Sequence, residues 1–230
     1  MEHCPIGVLG ISVASNRAAT LIFFVSSEHP VSLSFVAASL RPEFIRVIAE
    51  AYLQCNSWES AKVQVLKSNA LQARSPASAI RMERELRQRL MRLTSAEIHL
   101  AAYGIVEERT AIAWLSALKA SSYIHAFASE VLRGKLSSLD PVLRASDYEA
   151  FFVNQSAMHP ELLALTPSSR TKVRTVLLTM LREAGIGERT DRELRIQRPI
   201  VLPSVYAAIV ADSPHWLAGF LVPDGEIPSN

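Results

Sequence analysis

The sequence predicts a mainly α-helical protein with two parts. The first is a helical N-terminal domain with a helix-turn-helix, and the second is a C-terminal winged helix-turn-helix with a small β wing. Three observations support this prediction. Apolar residues recur at helical spacing through most of the 230 residues. Capping signals divide these stretches into separate helices. Near the C-terminus the helical pattern gives way to a short, basic, alternating segment that is typical of a strand pair.

Capping signals define the helices of the first part. A first helix is predicted over residues 42–54, where the apolar side chains share one face. Ser57 is a suitable N-cap for a second helix that runs to Lys67. Ser75-Pro76 begins a third, because proline is favoured at the first helical position. Thr94 opens a capping box for a fourth.

Two more helices are predicted between residues 110 and 136, and residues 138–141 (SLDP) form the best candidate domain boundary. A weak strand signal lies at 31–35. The predicted divisions are a poorly packed N-terminal extension (1–30), the N-terminal helical domain with its helix-turn-helix (31–140), and the C-terminal winged-helix domain with its tail (141–230).

The second part is predicted to begin with a capping box at residues 146–149. A short helix over 160–164 and a long helix over 167–184 follow, and Gly185 ends the long helix in a left-handed conformation. A strand is then predicted near 195–202. Three helices followed by a short basic strand pair is the order of a winged helix.

The long helix begins with the sequence TPSSRTKVR, which carries short polar donors and three cations, and no acid occurs before Glu183. Free amides, the positive end of the helix dipole and these donors suit a phosphate or a base edge. The alternative is a solvated face behind a good N-cap. Four arginines of the candidate wing favour DNA, and they are Arg189, Arg192, Arg195 and Arg198.

A second basic helix lies within residues 73–93, ARSPASAIRMERELRQRLMRL. From Arg74 to Arg92 it has six arginines against Glu83 and Glu85, a local charge of +4. Arginine suits forked contacts to phosphate. The alternative is again a solvated face, in which Glu85 pairs with Arg81 or Arg89 at helical spacing for little energy.

Signatures of enzymes and metal sites are absent from the sequence. The eight glycines are scattered, and neither a phosphate-binding G-x-x-x-x-G-K loop nor a G-x-S-x-G nucleophile turn occurs. Cys4 and Cys55 form no disulfide framework, and no Cys or His cluster has metal-ligand spacing. We therefore expect a non-enzymatic protein with no cofactor or metal, and two reduced thiols in the cytoplasm.

The longest apolar run covers residues 18–25, shorter than the roughly 20 residues that a membrane-spanning helix needs. No membrane segment is therefore predicted. The net charge of +2 is too small to indicate nucleic-acid binding by itself, so the placement of the charges decides.

Several stretches that cover most of residues 31–210 resemble the BrxA family, the small component of the BREX (bacteriophage exclusion) defence systems. The resemblance implies a cytoplasmic, mostly helical, non-enzymatic protein that binds double-stranded DNA through helix-turn-helix elements, beside the other BREX subunits. The similar stretches are SLSFVAASL, WESAKVQVLKSNALQARSPASAIRMERELRQRL, YIHAFASEVLRGKLSSLD and DYEAFFVNQSAMHPELLALTPSSRTKVRTVLLTMLREAG.

The resemblance also implies which residues face DNA, by position in the two basic helices. In the first element they are Arg74, Ser75, Ser78, Arg81 and Arg84. In the second they are Ser168, Ser169, Arg170, Lys172 and Arg174. Two alternatives stay open: an adaptor whose basic helices bind an acidic face of a partner subunit, and an RNA-binding helical bundle. The oligomeric state is not predicted.

Overall fold

The computed structural model of the protein describes residues 31–189 and 193–229. The predicted N-terminal extension, with Cys4 and the apolar run, lies outside the described residues, as does Arg192 of the candidate wing.

The described residues form a helical body with a small antiparallel sheet. The α-helices are α1 (Pro42–Cys55), α2 (Trp58–Lys67), α3 (Pro76–Leu90), α4 (Ser95–Tyr103), α5 (Val106–Ala120), α6 (Ser122–Ala126), α7 (Arg133–Ser137), α8 (Ala145–Met158), α9 (Pro167–Glu183) and α10 (Pro203–Asp212). A π-helical segment (Phe127–Leu132) joins α6 to α7. The 3₁₀ helices are Ser34–Ala37, Pro160–Ala164, Pro214–Phe220 and Asp224–Glu226. The strands are β1 (Val142–Leu143), β2 (Gly187–Arg189) and β3 (Leu194–Ile196).

The helix starts predicted in the first part are confirmed by their hydrogen bonds. The Ser57 hydroxyl accepts from the backbone amide of Ser60 at 3.4 Å. Thr94 and Glu97 form the predicted capping box, in which the Thr94 amide donates to the Glu97 carboxylate at 2.8 Å. Such caps satisfy amides that a helix leaves unpaired, each worth about 1 kcal/mol.

Other predicted boundaries were wrong. The box expected at residues 146–149 is absent, because α8 begins two residues earlier, with Arg144 as its N-cap, and the backbone amide of Arg144 donates to Asp147 at 2.7 Å. No strand forms at 31–35, where residues 31–33 have no regular structure and a 3₁₀ helix begins at Ser34. The helix α10 was not predicted.

The sheet has the order β1-β3-β2 with antiparallel pairing. Within the segment expected to be a strand near 195–202, only its start pairs, because β3 ends at Ile196. Arg195 lies opposite Val142 on one side and Glu188 on the other. The helices α8 and α9 lie in the chain between β1 and β2, and Gly185 has the predicted left-handed conformation (φ +70°).

The buried side chains form one cluster that runs through the described residues, and α5 lies in its middle. The Trp114 indole of α5 donates to the Gly219 carbonyl at 3.0 Å. The backbone of Gly219 comes close to α5, since a Cβ at this position would lie 2.5 Å from the end of the Leu118 side chain, which would have to shift. Residues 216–222 therefore pack on the body, and Phe220 is buried.

A buried ion cluster joins α4, α5 and α10. The Lys119 ammonium lies 2.6 Å from Oε2 of Glu97 and 2.9 Å from Oδ2 of Asp212. The Glu97 side chain is fully buried and the Lys119 side chain is 4% exposed. Neither buried charge of the cluster is therefore left unpaired. Since Asp212 belongs to α10, its pairing with Lys119 also ties α10 to α5.

Candidate nucleic-acid interface

The six arginines between residues 74 and 92 separate into two groups in the structure. Two of them pair with the acids of the same helix at four-residue spacing. Arg87 donates to Glu83 at 2.7 Å, and Arg89 donates to Glu85 at 2.9 Å. Both carboxylates are buried. The pairing of Glu85 with Arg89, one of the two partners that the sequence allowed, is confirmed, but this pair is buried and not solvated.

The other four arginines face solvent on α3 and its ends. No carboxylate among the described residues lies within 4.0 Å of any of them. Since two Arg–Glu pairs cancel, the whole local charge of +4 resides on this exposed set. We call this set the α3 basic face, and its members are Arg74, Arg81, Arg84 and Arg92.

Of the two serines predicted in this element, Ser75 is the N-cap of α3. The Ser75 hydroxyl accepts from the Ser78 amide at 3.3 Å and contacts the Ser78 hydroxyl at 3.0 Å. The helix start is therefore already stabilised without a ligand. Ser75 is exposed and Ser78 is half-buried. Both lie at the N-terminal end of α3, next to Arg74.

The start of α9 is also internally satisfied. The Thr166 hydroxyl accepts from the Ser169 amide at 3.2 Å and contacts the hydroxyls of Ser168 and Ser169. Further along, Thr171 and Thr175 donate to backbone carbonyls four residues earlier, at 3.0 and 2.8 Å. The hydroxyl groups of these threonines therefore donate to the backbone of their own helix.

Arg170 is held by α8. Its guanidinium pairs with the Glu149 carboxylate and lies 4.0 Å from the centre of the Phe152 ring. This half-buried arginine thus connects the two helices through an ion pair and a cation–π contact. Its contribution to packing was not evident from the sequence, because Glu149 and Phe152 are remote along the chain.

Lys172 and Arg174 are the freer cations of α9. Lys172 is exposed, and Arg174 lies 5.7 Å from the Tyr148 ring centre. Among the described carboxylates, none lies within 4.0 Å of either group. The same is true of Arg182 at the other end of the helix, whose guanidinium contacts the Thr179 hydroxyl at 3.1 Å. We call Lys172, Arg174 and Arg182 the α9 basic face.

An open cleft of about 630 Å³ lies between α9 and the sheet. Its basic lining residues are Arg144, Arg174, Arg182 and Arg189, and Glu193 is an acidic residue of the lining. Arg144 is partly neutralised, since it pairs with Asp140 at 2.6 Å and thereby holds the pKa of that carboxyl below its usual range.

Sequence reasoning did not select Arg144 or Arg182 for the site. Arg182 follows Arg174 by eight residues, a spacing that returns near the same side of a helix, so its placement could have been found. Arg144 could not, because β1 is two residues long and gives no alternating pattern.

The candidate wing contributes unequally. Arg189 and Arg195 are exposed on β2 and β3, where no described carboxylate lies within 4.0 Å of either guanidinium. Arg198 pairs instead with Glu226 at 2.6 Å, which ties the segment after β3 to the C-terminal 3₁₀ helix.

Residues 31–189 and 193–229 contain neither a candidate metal site nor a candidate membrane-spanning helix. No group of three or more His, Cys, Asp or Glu side chains there could hold a metal ion. In the same part of the chain, every helix is too short or too polar to cross a lipid bilayer.

Comparison with known proteins identifies the family. The family model for BrxA matches residues 30–213. The BREX protein BrxA of Escherichia coli O9:H4 (strain HS) is 29% identical over 164 residues, which cover 71% of this chain and 76% of that protein. A crystal structure of an uncharacterized protein from Magnetospirillum magneticum shares the fold, with a TM-score of 0.74 and 16% identity over 84% of this chain and 98% of the other. The resemblance seen in the sequence is confirmed: the chain belongs to the BrxA family.

Proposed function

We propose that this protein binds double-stranded DNA through the α3 and α9 basic faces, as a non-enzymatic, cytoplasmic component of a BREX phage-defence system. Family membership supports the role in defence. The observation that carries the DNA proposal is the sorting of charge on α3. Its acids are buried in ion pairs with two arginines, so every charged residue on its exposed side is basic.

For the second part we propose a winged helix, with α9 as the recognition helix and β2–β3 as the wing. The chain order β1-α8-α9-β2-β3 and the central position of β3 support this assignment. A recognition helix places its N-terminal residues nearest the base edges. Ser168, Ser169 and Lys172 would then lie closest to the groove, and Arg174 and the strand arginines would meet the backbone.

For the first part we propose that α2 and α3 form the helix-turn-helix. Asn69 and Gln72 turn the connecting segment with left-handed backbones, and the Asn69 side chain accepts from the Ala73 amide at 3.1 Å. The separation of the chain into parts at about residue 140 stays a prediction within this proposal.

The proposed mechanism is electrostatic. Each phosphate that an arginine or lysine neutralises releases counterions, and each such contact lowers the log–log salt slope by about 0.9. The hydroxyls at both helix starts already cap their helices, so they add little sequence readout. We therefore propose that binding tolerates most duplex sequences.

The adaptor hypothesis makes a different prediction, because basic helices suited to an acidic partner need not prefer a duplex. Fluorescence anisotropy of a labelled duplex, with unlabelled duplex, single-stranded DNA and RNA as competitors, separates the hypotheses. Preferred competition by duplex supports the proposal. Preferred competition by RNA, or weak binding by all three beside tight binding to another BREX subunit, contradicts it.

A further inference from the structure

One short segment, residues 35–40, lies between the ends of the two basic helices. Near the C-terminal end of α3, the Arg89 guanidinium donates to three carbonyls of this segment: Ser39 at 2.9 Å, Ala38 at 2.7 Å and Phe35 at 3.4 Å. Arg89 is 1% exposed. Burial lowers its pKa, while the carboxylates of Glu85 and Glu183 raise it.

The last residue of α9 holds the same segment from the other side. The Glu183 carboxylate accepts from the Ser39 hydroxyl at 2.9 Å and from the Leu40 amide at 2.6 Å. Segment 35–40 is therefore clamped between Arg89 and Glu183, and its apolar side chains Phe35 and Leu40 are buried. We call this arrangement the Arg89–Glu183 clamp.

The clamp joins the C-terminal ends of both helices, so their N-terminal ends point away from the shared segment. With 15 and 17 residues, α3 and α9 are about 22 and 26 Å long at 1.5 Å per residue. Ser75 and Thr166, the two N-caps, thus lie at the far ends of helices with a common rigid base. A change in the relative orientation of these two helix ends would break buried or partly buried hydrogen bonds to the shared segment.

We infer that the Arg89–Glu183 clamp fixes the α3 and α9 basic faces so that both engage one continuous duplex, and that Glu183 is the positioning residue of this bivalent site. The inference rests on the proposed function. Two linked sites on one ligand gain affinity through effective concentration, without any new contact, if their geometry allows both to bind. A rigid base supplies that geometry at little entropic cost.

The first test is the dependence of affinity on duplex length. A duplex of about 12 base pairs, roughly one helical turn, offers room for one element, and one of about 30 base pairs offers room for both. For the unmodified chain we expect the longer duplex to bind about 100-fold more tightly, beyond the gain from a larger number of sites. Equal affinity per site would overturn the inference and leave the DNA proposal intact. No binding to either duplex at low salt would instead contradict the DNA proposal.

The second test removes the clamp. In Glu183→Ala we expect affinity for the longer duplex to fall about tenfold or more, with the shorter duplex unaffected. Glu107→Ala is the matched control, because Glu107 is an exposed acid near the same end of α9 and has no ion pair with a described residue. An equal loss on both duplexes, or an unchanged gain with length in folded Glu183→Ala, would overturn the inference.

A milder change guards against loss of folding. Ser39→Ala removes one hydrogen bond of the clamp and should give an intermediate loss on the longer duplex only. Spin labels on Ile80→Cys and Thr175→Cys, in a chain with Cys4→Ser and Cys55→Ser, report the clamp directly. We expect a narrow distance distribution without DNA that broadens in Ser39→Ala. A broad distribution in the parent chain would overturn the inference.

Discussion

The Arg89 guanidinium pairs with the Glu85 carboxylate at 2.9 Å, and the two side chains are only 1% and 5% exposed. The acids of α3 are thus buried, while four exposed arginines lie on the helix and just beyond its ends. Charge counted along the sequence gives +4 for this region, but it does not say that the exposed face contains no acid. The segregation of charge is what distinguishes α3 from an ordinary solvated helix.

Neutralising either basic face should weaken binding to all duplexes by a similar factor. The double variants are Arg81→Gln with Arg84→Gln on α3, and Lys172→Gln with Arg174→Gln on α9. Each removes two phosphate contacts, so the log–log salt slope should fall by about 1.8. Anisotropy titrations on several unrelated duplexes measure both effects. Lys62→Gln is a control, because this cation is already paired with Glu59 at 3.1 Å. A loss confined to one duplex sequence would mean base readout and would contradict the electrostatic mechanism.

Arg170 should contribute more to stability than its exposed neighbour. Arg170→Gln loses the ion pair with Glu149 and the stack on Phe152, and we expect it to lower the free energy of unfolding by about 1 kcal/mol. Lys172→Gln, the matched control two residues further along α9, should change the free energy of unfolding by less than about 0.5 kcal/mol. Urea unfolding followed by circular dichroism measures both. Equal stability of the two variants would show that the contacts with α8 contribute nothing.

Breaking the buried ion cluster should be severe. In Lys119→Met the Glu97 carboxylate keeps its place without its cation, and we expect a loss of about 3–5 kcal/mol in the free energy of unfolding. The double variant Glu97→Gln with Lys119→Met removes both charges and should recover most of that loss. Denaturant unfolding of the three proteins tests this. A double variant no more stable than Lys119→Met would contradict the charge argument.

Acid should destabilise the protein partly through His125. Burial, His215 and Arg133 lower the pKa of His125 below its usual 6.5, and its Nε2 is buried without a hydrogen-bond partner among the described residues. The unfolded chain therefore binds more protons than the folded one as the pH falls below about 6.5, so stability is present above that pH and is lost below it. As the pH falls from about 7.5 to about 5.5, the His125→Phe variant should lose less stability than the parent protein. Thermal unfolding at each pH measures the two losses. An identical loss in both proteins would exclude this histidine as a source.

The sequence predicted the helices and their caps well because those signals are local. Ser57, Ser75 and Thr94 each bond an amide three residues ahead, a distance that pattern reasoning covers. It could not predict the three carbonyls that accept from Arg89 or the carboxylate that pairs with Arg170, which lie 21 to 54 residues away and depend on tertiary packing. The basic residues themselves are visible in the sequence. Because their partners are set by tertiary packing, the sequence does not separate the arginines that stabilise the fold from those that face solvent.

The most direct test of the central claim is the affinity of the purified chain for a labelled duplex of about 30 base pairs, measured by anisotropy across a series of salt concentrations. We predict tight binding at low salt and a linear fall of log affinity with log salt, with a slope of about −4 or steeper, as several phosphate contacts require. Absence of binding at low salt, or an affinity independent of salt, would contradict the proposal that the α3 and α9 basic faces bind the DNA backbone.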